Sequence, residues 1–67
     1  MKNRAKEFIK AELKKREITY SKLSFMMNEK GYIYSENTIR SKINRGSFSF
    51  AFLLEICDSL GINITVL

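Results

Sequence analysis

The spacing of apolar residues changes once along this chain, from a helical period to an alternating one near the end. Over residues 3–16, Ala5, Phe8, Ile9 and Leu13 recur three and four apart, which places them on one face of a helix. Lys2, Lys6, Lys10 and Lys14 run along the same stretch at four-residue intervals and read as a solvated face, with phosphate contact as the alternative. A second helix over residues 20–30 follows, capped by Thr19, with Leu23, Met26 and Met27 inward and Gly31 as its stop. Tyr32, Ile33 and Tyr34 are too apolar for a freely solvated loop and are expected to pack back on the core, with an exposed aromatic contact as the alternative.

The third predicted helix, residues 36–45, differs from the others. Ser35 suits its N-cap, and Glu36 suits the positive end of its dipole. Only Ile39 and Ile43 are apolar, on one side. The remaining faces carry Asn37, Thr38, Arg40, Ser41, Lys42, Asn44 and Arg45, which are donors or mixed donor–acceptors suited to phosphates and base edges. So narrow an apolar stripe adds little to a core, and the exposed chemistry is expected to be the purpose of this helix. After Gly46, a fourth helix is expected over residues 49–60, capped by Ser47 or Ser49. Phe50, Leu53, Leu54, Cys57 and Leu60 form its expected buried face, widened by Phe52 and Ile56, and Gly61 ends it. In the tail, residues 62–67, Ile62, Ile64 and Val66 alternate with Asn63 and Thr65 ahead of Leu67, a short β-strand pattern. A lone strand leaves backbone groups that a second copy can pair. Ile62, Asn63, Ile64, Thr65, Val66 and Leu67 are therefore the expected interface of a homodimer, with an extended tail or a short fifth helix over its own core as the alternative.

Composition narrows the picture. Sixty-seven residues make one domain, residues 1–67, of a size that buries only about 60% of its unfolded surface. Cys57 is the only cysteine and there is no histidine, so neither a disulfide nor a zinc site is expected to support it. Cys57 reads as a small core residue. No metal or other cofactor is expected. The net charge is +5, and residues 1–45 hold all 12 basic residues against five of the seven acidic ones. That imbalance suits a polyanionic partner, although a lysine-rich solvated surface would look the same. No stretch approaches a membrane span. Charges stand where a signal peptide needs an apolar core, so a cytoplasmic protein with reduced thiols is expected.

Two stretches carry a family resemblance: LKKREITYSKLS, residues 13–24, and NTIRSKINRGSFSFAFLLEICDSLGI, residues 37–62. The Thr before the second helix, the Leu-Ser pair within it, the Arg-Gly ending the third and the Leu-Gly-Ile ending the fourth fall in the order of the λ-repressor-like (Cro/C1, XRE-type) helix-turn-helix family. The chain is similar to that family, and to short bacterial proteins of its layout. The resemblance implies an all-α bundle of four or five helices, with the second helix across the DNA backbone and the third in the major groove. Carried over, it implies that Tyr20, Ser21 and Lys22 lie near phosphates and that Asn37, Thr38, Ser41 and Lys42 face base edges. Arg40 and Arg45 would flank them, and Ser47 would lie near the backbone. Tyr20 stands where the family usually has Gln, and residues 31–35 exceed the family's usual turn.

Double-stranded DNA is thus the expected partner of a small transcriptional regulator. The alternative is a protein-interaction module on the same fold, an antitoxin or adaptor. An enzyme is not expected, because no histidine, Gly-rich phosphate loop or serine with an evident base is present.

Overall fold

A computed structural model describes residues 4–62. Four helices make up the fold, α1 (Arg4–Lys15), α2 (Tyr20–Glu29), α3 (Glu36–Arg45) and α4 (Phe50–Leu60), and no strand occurs among the described residues.

Local chemistry sets each helix end. Thr19, Ser35 and Ser49 hold extended backbone, and their hydroxyls accept the N–H groups of Lys22, Thr38 and Phe52, each at 3.1 Å. Each satisfies a donor that the first helical turn would leave orphaned. Of the two serines before α4, Ser49 is therefore the cap.

Three C-termini share one Schellman closure. The N–H groups of Ile18, Tyr32 and Ile62 donate to the carbonyls of Leu13, Met27 and Cys57 at 2.9, 2.9 and 2.8 Å. The residue before each is left-handed: Gly31 and Gly61 at φ 92° and 74°, but Glu17 at φ 55° in the first closure. Ile18, Tyr32 and Ile62 then fold back against the core.

That core takes two buried residues from each of the first three helices: Ile9 and Leu13, Leu23 and Met27, Ile39 and Ile43. Phe52, Ile56 and Leu60 complete it from α4. The Phe52 ring meets Tyr34 edge-on at 5.2 Å and Phe48 at 5.6 Å.

The buried face of α4 is rotated from the one expected. Phe52, Ile56, Cys57, Ser59 and Leu60 are buried, Leu53 is half-buried, and Phe50 and Leu54 face outward. This helix is apolar almost all round, so periodicity cannot choose its inward stripe. Side-chain bonds made by the residues flanking that stripe orient it instead. Tyr34 donates its hydroxyl to Glu55 at 2.7 Å and Tyr32 to Asp58 at 2.8 Å, while Ser59 satisfies its own buried hydroxyl on the Glu55 carbonyl at 2.9 Å.

The same tyrosines fasten the loop between α2 and α3. The Tyr34 N–H donates to Asn28 Oδ1 at 3.2 Å, and its carbonyl accepts from Ser24 Oγ at 2.7 Å. Contrary to expectation, Ile33 does not pack on the core: it is 77% exposed, because its two anchored neighbours turn it outward.

From α1 and the turn after it, basic side chains reach two other helix ends. Lys6 Nζ donates to the Asn44 carbonyl at 2.8 Å and Arg16 to the Leu60 carbonyl at 3.4 Å, each cation meeting the negative end of a helix dipole. Lys6 thus belongs to the packing of α3, not to a purely solvated stripe.

The expected strand begins at Ile62, and that residue is not in a strand. Its N–H is committed to Cys57 and its side chain packs on its own core. Asn63, Ile64, Thr65, Val66 and Leu67, the rest of the expected strand and interface, lie outside the described residues.

Candidate functional site

Ile39 and Ile43, both at 0% exposure, fix the rotation of α3. With those two side chains inward, Asn37, Thr38, Ser41, Lys42 and Arg45 fall on one outward face. Together they line a shallow, open depression of about 370 Å³. Its walls are a carboxamide, two hydroxyls, an ammonium and a guanidinium, so it offers hydrogen-bond donors and positive charge to whatever covers it.

The members of this face are held differently. Thr38 is tied to the cap, its Oγ1 accepting from Ser35 Oγ at 2.9 Å. The Oδ1 of Asn37 accepts from the Arg40 guanidinium at 3.0 Å. Lys42 is half-buried, with its ammonium 5.4 Å from the centroid of the Phe52 ring. Its stem covers a core aromatic while its charge stays at the rim. Ser41 and Arg45 are exposed.

Arg40 belongs elsewhere. Its guanidinium pairs with the Glu36 carboxylate one turn earlier and lies 5.5 Å from the centroid of the Tyr20 ring. Tyr20 and Arg40 line a neighbouring groove of about 470 Å³ with Lys10, Leu13, Ile18, Thr19 and Glu36.

Sequence comparison finds one family relationship. The family described as Domain of unknown function (DUF6471) matches residues 1–65. The chain belongs to the DUF6471 family. No curated protein and no solved structure matches it. The family description names no activity.

Of the residues expected at the site, five meet around the first depression of the DUF6471 domain and two, Tyr20 and Arg40, border the second. Ser21, Lys22 and Ser47 are exposed but line neither. Lys22 instead lies 5.8 Å from the Phe25 ring centroid. Sequence reasoning passed over Glu36 as the partner of Arg40, although the four-residue spacing of a carboxylate and a guanidinium was a legible signal. The Phe52 ring beneath Lys42 had no such signal, because it comes from the next helix.

Cys57 lies in the core, where burial first, and the nearby charge of Glu12 second, raise its thiol pKa above the ordinary 9.0. Such a thiol is a poor nucleophile. Among the described residues no group of three or more His, Cys, Asp and Glu side chains could hold a metal ion, and no helix is long and apolar enough to cross a membrane.

Proposed function

We propose that this DUF6471 domain is a sequence-specific double-stranded DNA-binding regulator of λ-repressor-like helix-turn-helix type, reading the major groove with α3. The observation that carries the reading is the division of α3. Its two apolar side chains are fully buried, while Asn37, Thr38, Ser41, Lys42 and Arg45 share one outward face. A recognition helix needs a rigid backing and exposed donors within reach of base edges. Arg45 supplies affinity through phosphates, and Asn37, Thr38 and Ser41 supply discrimination. The ammonium of Lys42 joins them when it swings off the Phe52 ring. The domain acts as a homodimer on a two-fold-related site, paired through its tail, with half-sites about 34–36 Å apart.

Selection of bound duplexes from a random library at two salt concentrations tests this. Enrichment of a two-fold-symmetric site supports both regulator and dimer. A single enriched half-site keeps the regulator and removes the dimer. Salt-sensitive retention without enrichment reduces the protein to a non-specific basic binder, and no retention at low salt sinks the DNA reading.

A second reading, a protein-interaction module such as an antitoxin or adaptor, is favoured by Phe25 and Phe50, 59% and 56% exposed, together with Ile33. If that reading holds, substituting the three with serine abolishes partner binding, and replacing Lys42 and Arg45 does not.

A further inference from the structure

Arg40 is held on three sides. The edge of its guanidinium donates to the Glu36 carboxylate and to Asn37 Oδ1 at 3.0 Å, and the group also lies 5.5 Å from the Tyr20 ring centroid. A guanidinium is planar, carries five donors in a fixed fork and stacks on aromatic faces, so it satisfies all three partners at once. The ring it meets is the first residue of α2, and that ring also packs against the core. Glu36 is the first residue of α3. The stack therefore joins the leading turns of two helices across the groove of about 470 Å³. Both terminal nitrogens of the guanidinium are thus engaged by side chains of α3 itself.

We propose that Tyr20, Arg40 and Glu36 form a positioning clamp that sets the first turn of α3 against α2, and that Arg40 acts through this clamp rather than by touching DNA. The inference rests on the reading of α3 as a recognition helix. It takes Tyr20 away from the phosphates and Arg40 away from the flank of the base-reading residues, and gives them the docking angle instead. Asn37 and Thr38 sit on the turn that the clamp holds, so loosening it displaces the residues that read bases. Discrimination then falls while the number of phosphates neutralised stays the same.

Two measurements test the clamp. The first compares Arg40→Gln, Arg40→Lys, Tyr20→Leu and Tyr20→Phe for binding to the enriched duplex and to a scrambled one across a salt series. Arg40→Gln is expected to lower the ratio of the two affinities about tenfold, the scale of one base-edge interaction, and to leave the salt slope at its wild-type value. Arg40→Lys keeps the charge but not the fork, and is expected to behave like Arg40→Gln. Tyr20→Leu loses the same discrimination, and Tyr20→Phe, which keeps the ring, restores it. The opposite pattern overturns the clamp: a slope reduced by about 0.9, as when one phosphate is no longer neutralised, equal weakening on both duplexes, and a near-normal Arg40→Lys.

The second measurement needs no DNA. In urea unfolding, a double-mutant cycle of Arg40→Gln and Tyr20→Leu is expected to show coupling of about two- to fivefold in the unfolding constant. Strict additivity overturns the clamp. If the wild type retains no duplex, the DNA reading falls alone, and the cycle still decides the clamp.

Discussion

At the residue scale, Glu17 is the clearest departure from local preference. It occupies, at φ 55°, the left-handed position that glycine holds in the two matching closures. Without a glycine there, the backbone is strained by about 1–2 kcal/mol. Glu17→Gly relieves that strain but enlarges the freedom of the unfolded chain. The net gain expected is about 0.5–1 kcal/mol, seen as a rise of several degrees in the thermal midpoint. Gly61→Ala is the mirror experiment. Apart from its chain neighbours, no described residue comes within 4 Å of the added Cβ, so its expected loss of about 1 kcal/mol is backbone strain. Cys57 offers a second residue-scale test. Its buried thiol is expected to react with a disulfide reagent only as fast as the chain opens, and to become fast in denaturant.

At the element scale, caps and the α2–α3 loop carry the predictions. Ser35→Ala removes the acceptor for the Thr38 N–H and the donor to the Thr38 hydroxyl. It should cost about 1 kcal/mol of stability, measured by urea unfolding, and fray the turn that carries Asn37 and Thr38. The loop predicts a pH dependence. The Tyr34 hydroxyl pKa is raised above 10.0, chiefly by its hydrogen bond to Glu55, and that of Tyr32 chiefly by its bond to Asp58. A pKa higher in the folded than in the unfolded chain means that the neutral phenol is the stabilised form. The contribution is full below pH 10 and fades as pH rises through the folded values. Alkaline titration of unfolding should therefore show stability falling above pH 10, and less steeply in Tyr34→Phe.

The four helices and their order were legible because caps, stops and apolar spacing act locally. The side of α3 that faces inward was legible too, because it has only two apolar residues to bury. The rotation of α4 was not. Seven of its 11 residues are Phe, Leu, Ile or Cys, so several stripes satisfy the period, and Tyr32 and Tyr34 help settle which one is buried. Ile33 was misplaced for the same reason, since its exposure follows from tertiary bonds made by its neighbours.

At the whole-molecule scale, charge is divided between elements. Residues 1–45 carry all 12 basic side chains, and α4 carries Glu55 and Asp58, which bind the tyrosines of the α2–α3 loop. If α3 lies in a DNA groove, replacing Lys42 and Arg45 with glutamine should lower the salt slope of binding by about 0.9 for each phosphate that is no longer neutralised. Far-ultraviolet circular dichroism should stay unchanged. If the tail pairs two copies, truncation after Ile62 should halve the mass seen by sedimentation at micromolar concentration.

By itself the sequence determined the helices, their ends and the polar character of α3, because each depends on residues within one or two turns. Only the tertiary structure decided how the cations of α3 are held. Lys42 is drawn over Phe52 and Arg40 over Tyr20, each by an aromatic ring from another helix. A side chain's charge can be read from its letter, but its direction depends on partners brought close by folding.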